Sequence, residues 1–331
     1  MSEIDKRRLD VGKRIAALQS LLETSSPVLS GKACVYATGS FGRLEAGPES
    51  DLDLFIVGLD DGERKEKKFK SKLSNLDATC VKADLISAIR KLGIKDFDGD
   101  GKYLEHFSVY QLADSLGEPD DDYRNTLTSR LLLLLESTPL LDDGVYDQVI
   151  DEILVKYWRD FQDHKENFVP AFFGNDILRL WRTFCVNYEA RTERDPDDKK
   201  EKGKIKNYKL KHSRLLTCYS AVLYMLHVYD AHNTVTPDHA REMVRLTPTQ
   251  RLEWLHTNTK SDEAKEKIAL LLSMYEHFLH STTNEKELGK RLMDPGLKDD
   301  YAKSTYDFGN AMYDTMTLIG RGSFLHRLLV V

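Results

Sequence analysis

Strand-forming stretches are confined to the first third of the 331 residues, and the remainder keeps a helical period. Residues 33–37 (ACVYA) and 51–57 (DLDLFIV) are near-continuous apolar runs with turn residues between them, the pattern of strands in a buried sheet. A third stretch, residues 103–109, comes after the turn-rich FDGDG. Residues 5–24 place Leu9, Val11, Ile15, Leu18, Leu21 and Leu22 at close to helical spacing, so a helix precedes the first strand. The lysine-rich segment 62–76 is expected to be helical, with the helix continuing through Leu85, Ile89 and Leu92 to Gly93. The alternative is a strand over residues 79–86 (TCVKADLI). Helices are expected over 126–137, 145–163, 175–191, 210–229, 238–245, 261–282 and 301–318. The polar break GEPDDDYRN (117–125) marks the boundary. The expected fold class is α+β, with a mixed sheet and its helices in residues 1–120 and a mainly α-helical domain in residues 121–331.

Hydrophobic residues make up 41% of the chain, enough for a substantial core, and the net charge of −6 excludes a global electrostatic footprint for nucleic acid or membrane surfaces. Cys34, Cys80, Cys185 and Cys218 are far apart among apolar neighbours. They read as reduced, buried thiols of a cytoplasmic protein rather than structural zinc ligands. The longest pure apolar run is Leu131 to Leu135, far below the roughly 20 residues of a membrane helix. With its charged, amphipathic N-terminus the protein is expected to be neither exported nor inserted.

The stretch ATGSFGRLEAGPESDLDLFIVG (37–58) carries the chemistry. On a strand, positions i and i+2 share a face, so Asp51 and Asp53 point one way while Leu52 and Leu54 enter the core. Two neighbouring carboxylates repel, and a divalent cation such as Mg²⁺ turns that repulsion into binding. Gly39 and Ser40 stand where a strand gives way to an expected helix over 41–45. A backbone without a Cβ, a hydroxyl and the open amides of a helix start suit phosphate. Phosphates facing metal-binding carboxylates form the arrangement for in-line phosphoryl transfer.

The Gly-Ser pair, ten residues and then Asp-x-Asp resembles the polymerase-beta-like nucleotidyltransferase superfamily. GSFGRLEAGPESDLDLF is similar to the transferase domain of the bacterial protein-PII uridylyltransferases. The resemblance is specific over residues 37–58 and extends in outline to about 137. It implies a transferase that moves an NMP from an NTP to an acceptor hydroxyl and releases pyrophosphate. Gly39 and Ser40 would hold the triphosphate, and Asp51 and Asp53 would bind two Mg²⁺ ions, or Mn²⁺ in their place. It also implies a third carboxylate on the next strand that activates the acceptor: Glu105 in YLEHF, or Asp84 in KADLI if that segment is a strand. Arg43 and Glu45 match the string without a transferable role. The helical domain would close the nucleotide cleft and supply lysine and serine, for which Lys209, Lys211 and Ser213 are the candidates. The acceptor, protein or RNA or another nucleotide, stays open, as does a regulatory module that lacks the third acid and only binds nucleotide.

Three other patterns read less productively. DFDGDGKYLEHF (96–107) starts like a calcium loop with Asp96, Asp98, Asp100 and Gly101, but Phe107 stands where a bidentate glutamate belongs. RDFQDH (159–164) spaces Arg159 and His164 as in a class of helical ribonucleases, and reads better as a solvated helix face. Residues 199–214 hold eight Lys and Arg against Glu201, a run that leads into an apolar helix. Nucleic-acid contact there would need stacking aromatics, and only Tyr208 is close in sequence. Ile177, Trp181, Phe184 and Tyr188 share one helix face and read as core, with Asn175, Asp176, Arg179 and Arg182 on the other side.

Overall fold

The computed structural model describes residues 1–62, 71–97, 104–192 and 199–329. They form two compact units, Met1–Arg159 and Asp160–Val331. The first unit runs α1 (Glu3–Leu21), α2 (Ser26–Leu29), β1 (Ala33–Thr38), α3 (Gly39–Gly42), β2 (Asp53–Gly58), α4 (Asn75–Lys91), β3 (His106–Ser108), α5 (Val109–Asp114), α6 (Pro119–Tyr123), α7 (Thr126–Glu136), β4 (Thr138–Leu141) and α8 (Asp143–Tyr157). The second is helical: α9 (Ala171–Thr192), α10 (Lys200–Lys209), a π-helical turn (Leu210–Arg214), α11 (Leu215–His232), α12 (Pro237–Arg245), α13 (Pro248–Asn258), α14 (Asp262–Ser281), α15 (Glu285–Met293), α16 (Lys298–Gly320) and α17 (Phe324–Leu328). The α+β class is as expected.

The sheet order is β3-β2-β1-β4. β1 is antiparallel to both β2 and β4, and β3 lies parallel to β2. Strand alternation sorts the side chains into two layers. Val35, Ala37, Leu54 and Ile56 join a core with Val11, Ile15 and Leu18 of α1 and Val81, Leu85 and Ile89 of α4. On the other face Tyr36 stacks on Phe55 at 5.7 Å and meets Tyr146 of α8 at 5.9 Å, while Phe55 meets Phe107 at 6.0 Å.

Local chemistry explains the boundaries. The Ser74 hydroxyl caps α4 by accepting the Asp77 amide at 3.0 Å, and Gly93 at φ +65° turns the chain after it. Residues 79–86 are therefore helix, not strand. Of the lysine-rich segment 62–76, residues 63–70 lie outside the described residues and the helix begins only at Asn75. The third strand is shorter than expected, because Ser108 forms a capping box with Gln111 and starts α5.

The division falls between residues 159 and 160 rather than near 120. Its physical reason is Asp121, which sits inside the polar break yet is fully buried. Arg130, equally buried, donates from Nη1 and Nη2 to Asp121 at 2.9 and 2.8 Å, from Nη1 to the Leu112 carbonyl and from Nε to the Tyr157 hydroxyl. This pair ties α5, α6, α7 and α8 together. β4 adds a second tie, since its short TPLL pairs with β1 at the sheet edge, where Pro139 is tolerated.

All four cysteines are free. Cys34 and Cys218 are buried as expected, but Cys80 on α4 is exposed and Cys185 on α9 is half-buried. Among the described residues no helix is long and apolar enough to cross a membrane.

Candidate active site

The Gly-Ser turn is built by steric necessity. Gly39 has φ +64°, and a Cβ there would sit 2.8 Å from Asp53 Oδ2. The Asp53 carboxylate thus lies against the Gly39 backbone, in the space a side chain would fill. Asp53 faces Thr38 across the β1–β2 ladder, so both side chains share the Tyr36 and Phe55 face. Asp51 precedes the strand and bridges in parallel to Lys95. Leu52 and Leu54 are buried while Asp51 and Asp53 are half-buried, the alternation expected of them.

The rest of the string is scaffold. Gly42 admits no side chain, since a Cβ would meet the Glu136 carbonyl at 2.0 Å and the Ala37 carbonyl at 2.7 Å. Arg43, buried, donates from Nε to Glu45 at 2.9 Å and from Nη1 to Glu136 at 2.7 Å. Arg7 donates to the Glu45 carbonyl at 2.9 Å and Arg14 to the Gly47 carbonyl at 3.1 Å. Arg43 and Glu45 hold the turn against α7 and α1. That gives their place in the string a structural meaning.

Two buried hydroxyls of the Asp53 face, Tyr36 OH and Thr38 Oγ1, have no hydrogen-bond partner among the described residues. Burial pushes the Tyr36 phenol well above its ordinary value, so it stays neutral. The side chains the sequence offers here carry oxygen donors: the Asp53 carboxylate beside the Thr38 hydroxyl, and the Asp51 carboxylate just before the strand. Such a set fits a hard divalent cation. Among the described residues no three His, Cys, Asp or Glu side chains gather closely enough to hold a metal by themselves.

The two candidates for the third acid part company. Asp84 is on helix α4, whose buried side packs the opposite sheet face, and its Oδ2 accepts the Ser25 hydroxyl at 2.7 Å. It cannot join Asp53, because the strand on which that role depended is a helix. Glu105 stands one residue before β3 and is exposed. Phe107 pairs with Val57, so by alternation Glu105 has the parity of Phe107, and with it that of Phe55 and Asp53.

The basic run of the second unit is largely engaged within that unit. Lys209 pairs with Glu285, and the buried Ser213 hydroxyl donates to the Lys209 carbonyl at 2.8 Å. Lys211 lies over the Trp181 ring at 5.9 Å. Of the other patterns, Asp96 is bonded to Arg90, while Asp98, Asp100 and Gly101 lie outside the described residues. Arg159 and His164 flank the short 3-10 turn Phe161–Asp163, and both are exposed, so they form no helix face. Asp176 is buried rather than outward-facing, with Arg179 at 3.7 Å.

His212 of the π turn is buried between Phe278 and Phe308, with Nδ1 donating to the Tyr208 carbonyl at 2.9 Å. Burial, only partly opposed by the Tyr208 carbonyl and aided by nearby His277, lowers its pKa from 6.5 to about 4. The unfolded chain binds this proton more readily, so the contribution is complete above pH ~6.5 and is lost as pH falls through about 4. We expect the stability gap between wild type and His212→Phe, from urea unfolding, to change by about 3 kcal/mol between neutral pH and ~4.

With this geometry in place, the comparison with known families is direct: residues 19–102 match the model of a nucleotidyltransferase domain. The match supports the polymerase-beta-like superfamily for the segment that carries Gly39, Ser40, Asp51 and Asp53. It ends before Glu105 and does not reach the second unit. No curated protein matches the chain.

Proposed function

We propose that the first unit is a Mg²⁺- or Mn²⁺-dependent nucleotidyltransferase. The observation that supports this is the seat of Asp53 against the side-chain-free Gly39 backbone, a carboxylate beside the Gly-Ser turn. Asp51 and Asp53 would hold the cation, which supplies neutralisation of the phosphate charge that builds up in transfer. Gly39 and Ser40 receive the triphosphate by backbone amides and hydroxyl. Glu105, on the Asp53 side of the sheet, takes the proton of the acceptor hydroxyl. The acceptor oxygen forms a bond to the α-phosphorus, the bond to the bridging oxygen breaks, and pyrophosphate carries away the electron pair.

The acceptor is a protein, as the uridylyltransferase-like string suggests, or an RNA. Four free cysteines, with Cys80 exposed, suit a cytoplasmic setting. A second reading rests on the lack of a three-carboxylate group among the described residues: a module that binds nucleotide without turnover. Incubating the full chain with each α-labelled NTP, Mg²⁺ and cell extract tests both. Label in an acceptor, lost in Asp51→Ala, supports transfer. Saturable NTP binding without product supports the sensor.

A further inference from the structure

Half-exposed aromatic rings and exposed cations meet on one stretch of the second unit. Trp181 and Phe184 lie near the middle of α9, and each has a cation over its ring. Lys211 Nζ is 5.9 Å from the Trp181 centroid, and the Arg214 guanidinium is 5.0 Å from that of Phe184. Tyr219 of α11 meets Trp181 edge-on at 6.0 Å. Trp181, Phe184, Tyr188 and Tyr219 all remain partly exposed, and the neighbouring Val186 is 65% exposed. Arg182 lies close enough to act on the Tyr219 hydroxyl, and Lys211 on the Cys185 thiol. Glu189 brings a carboxylate close to Cys185, beside the three cations Arg182, Lys211 and Arg214. Arg182 and Lys211 are exposed and pair with no carboxylate among the described residues.

A core-packing role explains the inner edge of this stripe, where Ile177 is fully buried, but not the cations set over half-open rings. Positive charge interleaved with aromatic faces matches a ligand that alternates phosphates with flat bases. Length decides between a single nucleotide and a strand. Trp181 to Tyr188 spans about 10 Å of helix, room for two or three successive bases and more than one base covers. Tyr208, the one aromatic near the basic run in sequence, is buried and takes no part.

We propose that this face of α9 and α11 binds single-stranded nucleic acid, its bases on Trp181 and Phe184 and its phosphates on Arg182, Lys211 and Arg214. Within the transferase reading it names nucleic acid as the acceptor class, and it rests on that reading for the acceptor role alone.

The test is the fluorescence anisotropy of labelled single-stranded RNA and DNA dodecamers titrated with the full chain, without NTP. Binding of either strand is expected, about tenfold or more weaker in Trp181→Leu. Lys211→Gln should weaken it and lower the slope of log affinity against log salt by about 1. Lys211 is exposed, so this variant keeps the test sound if Trp181→Leu disturbs folding. Failure to bind either strand, equal binding by wild type and both variants, or equal affinity for a duplex would overturn the proposal. Displacement by ATP as effective as by unlabelled strand would also overturn it, by marking a nucleotide subsite. Strand binding without label transfer would count against the transferase reading only, and transfer without strand binding against this one only.

Discussion

Asp53→Asn is expected to lower nucleotidyl transfer by a factor of about a thousand or more, roughly 4 kcal/mol of barrier, with the fold intact. The change is isosteric and removes one charge. Asp53 is the half-buried carboxylate whose Oδ2 lies 2.8 Å from where a Gly39 Cβ would sit, so its loss removes a negative charge set against the turn. Neutral asparagine leaves the β1–β2 ladder and the Leu54 and Ile56 packing untouched. Glu105→Gln should behave differently, because Glu105 acts on the acceptor and not on the triphosphate. Transfer is expected to fall ~10²–10⁴-fold while NTP affinity stays within about twofold of wild type. Single-turnover rates and NTP titrations on the same preparations separate the two effects. A rate for Asp53→Asn close to wild type would remove the basis of the proposed site.

Arg43→Met carries the second large effect, on stability. Glu45 and Glu136 are both buried, and Arg43 donates to each. Removing the cation leaves two carboxylates in an apolar layer, and breaking a buried pair in this way costs about 3–5 kcal/mol. Restoring neutrality should recover much of the loss, so Arg43→Met combined with Glu45→Gln and Glu136→Gln is expected to be clearly more stable than Arg43→Met alone. The readout is urea unfolding of the full chain with hydrogen exchange monitored at β1 and β2, which isolates the first unit. If Arg43→Met shifted protection there by less than about 1 kcal/mol, the network would not be what holds the Gly-Ser turn.

Much of this layout is legible in the residues alone, and the places where it is not have identifiable causes. β1 and β2 emerge from apolar runs long enough to be unambiguous, and the alternation around Leu52 and Leu54 puts Asp51 and Asp53 on one side. β4 escapes because TPLL is four residues with a proline, directly after the leucine run of α7, and reads as a connection between two helices. α13 escapes because its inward positions include Arg251, fully buried with Nε on the Met243 carbonyl, so its apolar period is weak. Composition misleads at 117–125: acidic residues signal a linker, yet one of them, Asp121, is the buried partner of Arg130.

The site shows the same division. Gly39, Ser40, Asp51 and Asp53 are close in sequence, and their pattern is local. The proposed third acid depends on the register of a strand more than forty residues away, which no local pattern reports; β3 pairing with β2 gives Glu105 the parity of Asp53, and Asp84 lies on α4. Thr38 Oγ1 and Tyr36 OH become visible only once burial is known. The aromatic partners of Lys211 and Arg214 come from α9, some thirty residues upstream, so the basic run itself offers only the buried Tyr208.

The most direct test of the central claim tracks the two ends of the NTP separately. The full chain is given Mg²⁺, acceptor-containing extract and NTP labelled at either the α or the γ phosphate, in parallel with Asp53→Asn. Transfer at the Gly39–Asp53 site predicts α-label in an acceptor, γ-label in pyrophosphate in equal amount, and neither product from Asp53→Asn. Acceptor labelled by γ-phosphate, or product formed equally by wild type and Asp53→Asn, would contradict it.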